Sequence, residues 1–451
     1  MNIGDNYIVT IDKLGNLCVG LAKINDFLVM VDDVCPLDKV KIEITKLTKN
    51  YARAKVVELL ESSPYRLKPF CPMQKVCGAC QLQFIDYDYQ LEIKRQVVKE
   101  TLKKIGALDI DVPMPVPSPQ IKNYRHKIQY PITETKNSKR IIAGYYKNKT
   151  HEIVNIKYCP IQPEICDEII EYIKETAPKF NISGYREKSH KGDLRHIVIR
   201  NSAYNGNNLV ALVLNSDGSN ISNNVIDFCN AIYNKFDKVT GVCVNFNPKK
   251  SNVILGDFTK CVCGKDYIEE KILDKTFRIT AQTFFQVNPK SAENIFKYVK
   301  EYIINNFKNA SILDAYAGIS AFGICLSDEA KQVVTIEENK KSVELAILSS
   351  KLNNISNIEI HCGDAGEYLD NEKRKFNAVI LDPPRKGCSE KSLDRAYDLS
   401  KGKIIYVSCN PSTLARDLKY LCQKGAKVES VQPFDMFCHT YHIENVAIIN
   451  V

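Results

Sequence analysis

No stretch of this chain approaches the roughly 18 consecutive apolar residues that a membrane-spanning helix needs. The first residues, MNIGDNYIVTIDKLGN, have neither a basic start nor an apolar run, so a secretory signal is not expected. Tryptophan is absent, and there is no internal repeat or low-complexity tract. The dinucleotide fingerprint GxGxxG is also missing; the nearest small-residue turn reads GISAFG. These absences point to a cytoplasmic globular protein without a membrane partner. Its 451 residues are too many for a single core, so several domains are expected.

Cysteine, by contrast, is abundant. Seventeen cysteines, an odd number, in a long chain without an export signal argue against a disulfide framework and for reduced thiols with a metal or cluster site. A net charge of +9 is compatible with a polyanionic partner without requiring one.

Residues 1–60 alternate short strand-like runs (YIVTI, LCVGLAKI, FLVMVDDV, KVKIEITKL, ARAKVVELL), the spacing of a small antiparallel barrel. Within it KLTKNYARAK sets Lys46, Lys49, Arg53 and Lys55 around Tyr51. That arrangement suits phosphate contact with one stacked base, and equally a solvated hairpin. The stretch YQLEIKRQVVKETLKKIG carries Leu91, Val97, Val98, Leu102 and Ile105 at helical spacing and predicts an amphipathic helix. VPMPVPSPQ, with proline at every second position, predicts a semi-rigid linker. Strand-like runs dominate from about 124 to 280 and predict an α+β domain. The expected boundaries are 1–60, 61–280 and 281–451.

After residue 285 apolar strands alternate with helical stretches, which predicts a doubly wound, mostly parallel sheet. Ligands in such sheets bind at the carboxyl ends of the strands. Here four consecutive strands end in carboxylates: Asp314, Glu337, Asp364 and Asp382. Glu337 follows Asp314 by 23 positions, close to the spacing of a ribose-binding acid. A pyrophosphate would be repelled there. S-adenosylmethionine, with a sulfonium, an α-ammonium and no phosphate, suits the site.

VSCNPST follows the fifth strand and puts Cys409 on the same rim, where a thiolate can act as nucleophile; a buried, inert Cys409 is the competing reading. DMFCHTYHIEN, before the last strand, brings Glu444 back with His439 and His442. A thiol and an acid beside a methyl donor fit methylation of uracil carbon 5. The thiolate adds to carbon 6, carbon 5 takes the methyl group, and a base removes the carbon-5 proton.

CPMQKVCGACQLQ, NYRHKIQYP, QTFFQVNP, LDAYAGIS, LDPPRKG, YVSCNPSTLARDL and DMFCHTYHIE, in that order, resemble the RNA uracil-5-methyltransferases that install 5-methyluridine. KLTKNYARAKVVELLESSPYR resembles the TRAM domain of the 23S ribosomal RNA branch. The resemblance implies a class I (Rossmann-like) methyltransferase domain behind an OB-like TRAM barrel and a central iron–sulfur α+β domain. It implies Cys409 as nucleophile, Glu444 as base, and Gln286, Tyr316, Glu337, Asp364 and Asp382 as S-adenosylmethionine contacts. Two departures stand out: Ser320 and Ala321 in a turn usually richer in glycine, and Cys438 and Tyr441 where Pro and Gly are usual.

Cys71, Cys77 and Cys80 have ligand-like spacing, and Cys159 completes a four-cysteine set in that family. Four thiolates suit zinc or an iron–sulfur cluster, and spacing alone leaves both open. The resemblance implies [4Fe–4S]. Tyr124, Arg125 and Lys127 are further expected RNA contacts. The expected partner is RNA, above all 23S rRNA, with no protein partner; a transfer-RNA uracil-5-methyltransferase and a non-catalytic iron–sulfur RNA-binding protein are the alternatives.

Overall fold

The computed structural model describes residues 1–451. The N-terminal unit is a six-stranded sheet: β1 (Asn6–Thr10), β2 (Lys13–Leu14), β3 (Gly20–Ile24), β4 (Phe27–Val31), β5 (Lys39–Leu47) and β6 (Tyr51–Glu61), ordered β1-β5-β6-β4-β3-β2. Alternation turns Val40, Ile42, Ile44, Ala52 and Ala54 into its core and leaves Lys46 and Lys49 exposed at the β5–β6 turn. Lys55 is paired with Glu43 at 2.9 Å, so it is less available to a ligand than its neighbours.

Helix α1 (Tyr87–Gly106) starts where Asp86 caps the backbone N–H of Tyr89. Leu91, Val98 and Leu102 are buried as expected and Val97 is half-buried, with one exception and two polar additions. Ile105 is exposed, while Gln90 and Lys94 are buried, because partners from the far end of the chain reach them there. Gly106 lets the helix approach Ala415 closely; a Cβ there would sit 3.2 Å from the Ala415 carbonyl. The proline-rich stretch is no free linker: Val116 N–H donates to the Pro433 carbonyl at 2.9 Å and its own carbonyl accepts from Asp435 N–H.

The central sheet contains β7 (Lys127–Glu134), β8 (Ile141–Ala143), β9 (Leu194–Asn201), β10 (Asn208–Leu214), β11 (Val239–Phe246) and β12 (Phe258–Gly264), ordered β12-β11-β10-β9-β7-β8. Helices α2 (Glu164–Thr176) and α3 (Asn223–Lys235) cover one face. The other face shares a core with the hairpin β13 (Tyr267–Ile272) and β14 (Lys275–Thr280) and with α4 (Pro289–Asn306). Because both faces are covered, every residue of β10 is buried.

The C-terminal sheet holds β15 (Ala310–Ala315), β16 (Ala330–Glu337), β17 (Ile358–Cys362), β18 (Phe376–Leu381), β19 (Ser400–Ser408), β20 (Lys427–Phe434) and β21 (Glu444–Asn450). Between them run α5 (Ala321–Leu326), α6 (Lys340–Leu352), α7 (Ala365–Asn371), α8 (Glu390–Leu399) and α9 (Pro411–Gln423). The order β17-β16-β15-β18-β19-β21-β20 is parallel except for β21, which is antiparallel to both neighbours. The switch point lies between β15 and β18, where Asp314 and Asp382 emerge. No helix is long and apolar enough to cross a membrane.

Candidate active site

The antiparallel register of β19 and β21 pairs Ser408 with Asn445, so the next residues outward, Cys409 and Glu444, face each other across the strand ends. Cys409 is fixed by the turn that follows it. Asn410 caps α9 by accepting from Ser412 N–H at 3.1 Å, and Pro411 supplies the first helical φ. Asn410 Nδ2 and Thr413 Oγ1 also donate to the Arg385 carbonyl, at 3.2 and 3.3 Å, tying the DPPR loop to this turn.

Charge is concentrated here. Burial, then Glu444 and Asp382, push the half-buried Cys409 thiol up to about 11, while the Arg385 guanidinium opposes them by charge and hydrogen bond. Burial and then Asp382 push the Glu444 carboxyl up to about 8, again against Arg385. Burial raises Asp382 to about 7. His442 is pushed down to about 4 by burial and by Arg385, which keeps its imidazole neutral. Arg385 is the group missed among the site residues. The cations Arg385 and Lys386, following the strand-end Asp382 after two prolines, were the available signal.

On the cofactor side, Asp314 is fully buried. One oxygen accepts from Gly323 N–H at 3.1 Å and the other has no partner, and burial with nearby Asp382 and Glu337 raises the carboxyl to about 8. Glu337 accepts from the backbone N–H of Gly318 at 2.9 Å and of Asn339 at 2.8 Å. Gly318 has φ +57° and open space at its missing Cβ, a surface a ligand can approach. Tyr316 is half-buried with φ +66°, next to Cys388. Asp364 caps α7, accepting from Glu367 N–H at 3.0 Å, so part of its capacity is already used. Ser320 is buried and hydrogen-bonded to Thr335 at 2.8 Å; it faces the core, away from the rim. Gln286 is half-buried in the segment before α4, which His126 N–H and the Arg200 guanidinium hold by the carbonyls of Val287 and Thr283.

Cys71, Cys77, Cys80 and Cys159 line one cleft of about 330 Å³. Cys80 and Cys159 are buried, and burial raises all four thiols, Cys159 to about 12. The thiols share the cleft without any three ligating groups closing on the position of a single metal ion. Of the expected RNA contacts, Tyr124 is fully buried, donating to the Cys438 carbonyl at 2.9 Å, so it is structural. Arg125 and Lys127 are half-buried and make no ion pair; Arg125 Nε is a buried donor without a partner.

Residues 2–57 match the TRAM domain, and residues 252–450 match the family described as tRNA (Uracil-5-)-methyltransferase. An uncharacterized RNA methyltransferase of Clostridium tetani is 36% identical over 98% of this chain and 96% of its own length. One from Clostridium acetobutylicum is 37% identical over 99% and 97%. The crystal structure of Pyrococcus abyssi tRNA (uracil-54, C5)-methyltransferase with S-adenosyl-L-homocysteine is 31% identical, covers 98% of this chain and 100% of that one, and superposes with a TM-score of 0.79. This chain belongs to the RNA (uracil-5-)-methyltransferase family. It is an S-adenosylmethionine-dependent RNA methyltransferase with an N-terminal TRAM domain. The methyltransferase's buried Asp314 and half-buried Glu337 and Asp382 fit that cationic donor: its positive charges would offset the burial and the mutual repulsion that raise Asp314.

Proposed function

We propose that the enzyme methylates carbon 5 of one uridine in structured RNA, with Cys409 as nucleophile and Glu444 as general base. The reading rests on one observation: Cys409 and Glu444 face each other across the ends of β19 and β21, beside Arg385 and Asp382. Arg385 favours the thiolate. Cys409 Sγ adds to carbon 6 of uracil, and the electron pair displaced from the 5,6 double bond is delocalised onto the 4-carbonyl. S-adenosylmethionine supplies the electrophilic methyl group that carbon 5 takes up. Ionised Glu444 removes the carbon-5 proton, the double bond re-forms, and Cys409 leaves. Gln286, Tyr316, Glu337 and Asp382 hold the donor; Asp364 contributes through the α7 cap. RNA carrying 5-fluorouridine cannot lose a carbon-5 proton and should stay covalently attached to the enzyme. Cys409→Ala should form none of this complex, and an unchanged yield in that variant sinks the nucleophile.

The domain scheme is 1–60 for the TRAM barrel, 61–280 for the central unit and 281–451 for methyl transfer. Lys46, Lys49 and Arg53 on the barrel, Arg125 and Lys127 on the central unit and the exposed Phe284 ring are suited to phosphates and a stacked base. Cys71, Cys77, Cys80 and Cys159 would hold a [4Fe–4S] cluster, and four thiols lining one cleft support this. Its contribution would be to crosslink segments 71–80 and 159, because methyl transfer consumes no electrons. The TRAM domain with this cysteine set favours 23S rRNA as substrate. The similarity to the Pyrococcus tRNA enzyme favours a transfer-RNA uridine equally. Mapping 5-methyluridine in rRNA and tRNA with the gene deleted and restored decides between them.

A further inference from the structure

Glu444 is buried, yet the groups acting on its carboxyl are charges, Asp382 and Arg385; no hydrogen bond holds it. Its location therefore follows from its backbone, which the pairing of β21 holds on one side and residues 435–443, joining β20 to β21, hold on the other. The register pairs Phe434 with Glu444 at the base of this loop.

The loop is fastened from outside the C-terminal sheet at nearly every step. Asp435 is fully buried; its carboxylate accepts from Lys94 Nζ at 2.7 Å and from the Tyr87 hydroxyl at 2.9 Å. Lys94 is itself only 2% exposed and also donates to the Phe437 carbonyl at 3.1 Å. Asn288 and Ser291 donate to the carbonyls of Met436 and Asp435 at 3.1 and 3.0 Å. His439, at φ +65°, donates its N–H to Gln90 Oε1 at 3.1 Å, and its carbonyl accepts from Leu82 N–H at 2.8 Å. Its ring lies 3.2 Å from Gln90 Nε2, 2.9 Å from the Ile121 carbonyl, and edge-on to Phe70 at 5.0 Å. Phe70 precedes Cys71 and Leu82 follows Cys80, so the cysteine segment clasps the loop from both ends.

A lysine buried in the middle of an amphipathic helix costs desolvation, and nothing in α1 itself requires it. We propose that Lys94 and Asp435, with Gln90 and His439, are positioning residues that set Glu444 for proton abstraction; this rests on Glu444 being the base. They touch neither the thiol nor the cofactor carboxylates, so they govern release of product from Cys409 rather than formation of the adduct.

The test uses full-length enzyme, total RNA from cells lacking it, and S-adenosylmethionine carrying a tritiated methyl group, in single turnover. Label moving with protein on a denaturing gel is methylated adduct; label moving with RNA is released product. Lys94→Met and Gln90→Met should transfer methyl at close to the parent rate but resolve the adduct on the order of 10- to 100-fold more slowly, the penalty of a misplaced catalytic group. Glu444→Gln should stall in the same way. Parent-like resolution in both variants beside a stalled Glu444→Gln refutes the positioning role alone. Slow methyl transfer without build-up of protein-bound label also refutes it, because that is a general defect in folding or RNA binding. Normal release by Glu444→Gln overturns the base assignment and this proposal together. If Lys94→Met misfolds with Asp435 left unpaired, Gln90→Met, which removes no charge, decides.

Discussion

Replacing Glu444 with Gln should make the folded enzyme more stable, and only at high pH. The folded carboxyl titrates at about 8, mainly because it is buried, then because of Asp382. In the unfolded chain a glutamate titrates near 4.3. Between these values the folded protein keeps a proton that the unfolded chain has released, so stability falls as pH rises through the window. Each unit is worth about 1.4 kcal/mol, so the limit from pH 5 to 8 is about 4 kcal/mol. Relaxation of the folded site lowers this to roughly 2–4 kcal/mol. Gln carries no such charge. Parent and variant should therefore melt together near pH 4.5 and separate by roughly 2–4 °C at pH 8, with the variant higher. Circular dichroism is the assay, since the chain has no tryptophan to report unfolding by fluorescence. A pH-independent difference, or one that shrinks towards pH 8, refutes the burial of a strained carboxyl at this position.

The same carboxyl sets the pH dependence of product release. Release, which needs ionised Glu444, should rise with pH towards about 8, and rapid-quench assays of adduct decay at pH 6–9 check the direction. Lys49→Ala should weaken RNA binding and reduce the slope of log K against log salt by about 1, read by filter binding over a salt series; an unchanged slope means no phosphate sits there. Anaerobically purified enzyme should be brown and contain iron and sulfide, and Cys159→Ser should lose both; stoichiometric zinc in colourless enzyme would overturn the cluster. Asp382→Asn should weaken donor binding at least about tenfold by calorimetry, since a half-buried carboxylate at the end of β18 that would meet the donor's positive charge is removed.

The C-terminal sheet was legible because its strands are short apolar runs that end in acids, a pattern local to each strand. Asp314, Glu337 and Asp382 emerged where their strands stop, and Cys409 on the turn that its own Asn410 and Pro411 create. Asp364 shows where such reading stops. The same strand-end position serves equally to cap a helix, and only the hydrogen bond from Glu367 reveals that Asp364 does so. Tyr124 went the same way: an aromatic between basic residues reads as a stacking platform, but its ring lies in the central core and its hydroxyl holds Cys438.

On α1 the pattern held for Leu91, Val98 and Leu102 but missed Gln90 and Lys94 for a deeper reason. Helical periodicity sorts residues by polarity, so it sends Lys94 and Gln90 to solvent and Ile105 inwards. What draws Lys94 inwards is Asp435, 341 positions away, whose buried carboxylate accepts from it, and Gln90 follows through His439. Each of the two charges would be costly alone, and each is invisible as a partner in the sequence around the other. Neither sits in a strand-end pattern or a cysteine spacing. Yet the pair joins α1, a helix of the 61–280 segment that packs against α9, to the loop that ends in Glu444, so α1 holds the proposed base of the methyltransferase sheet. Removing Lys94 should thus be felt at Cys409, as an adduct that forms and does not let go.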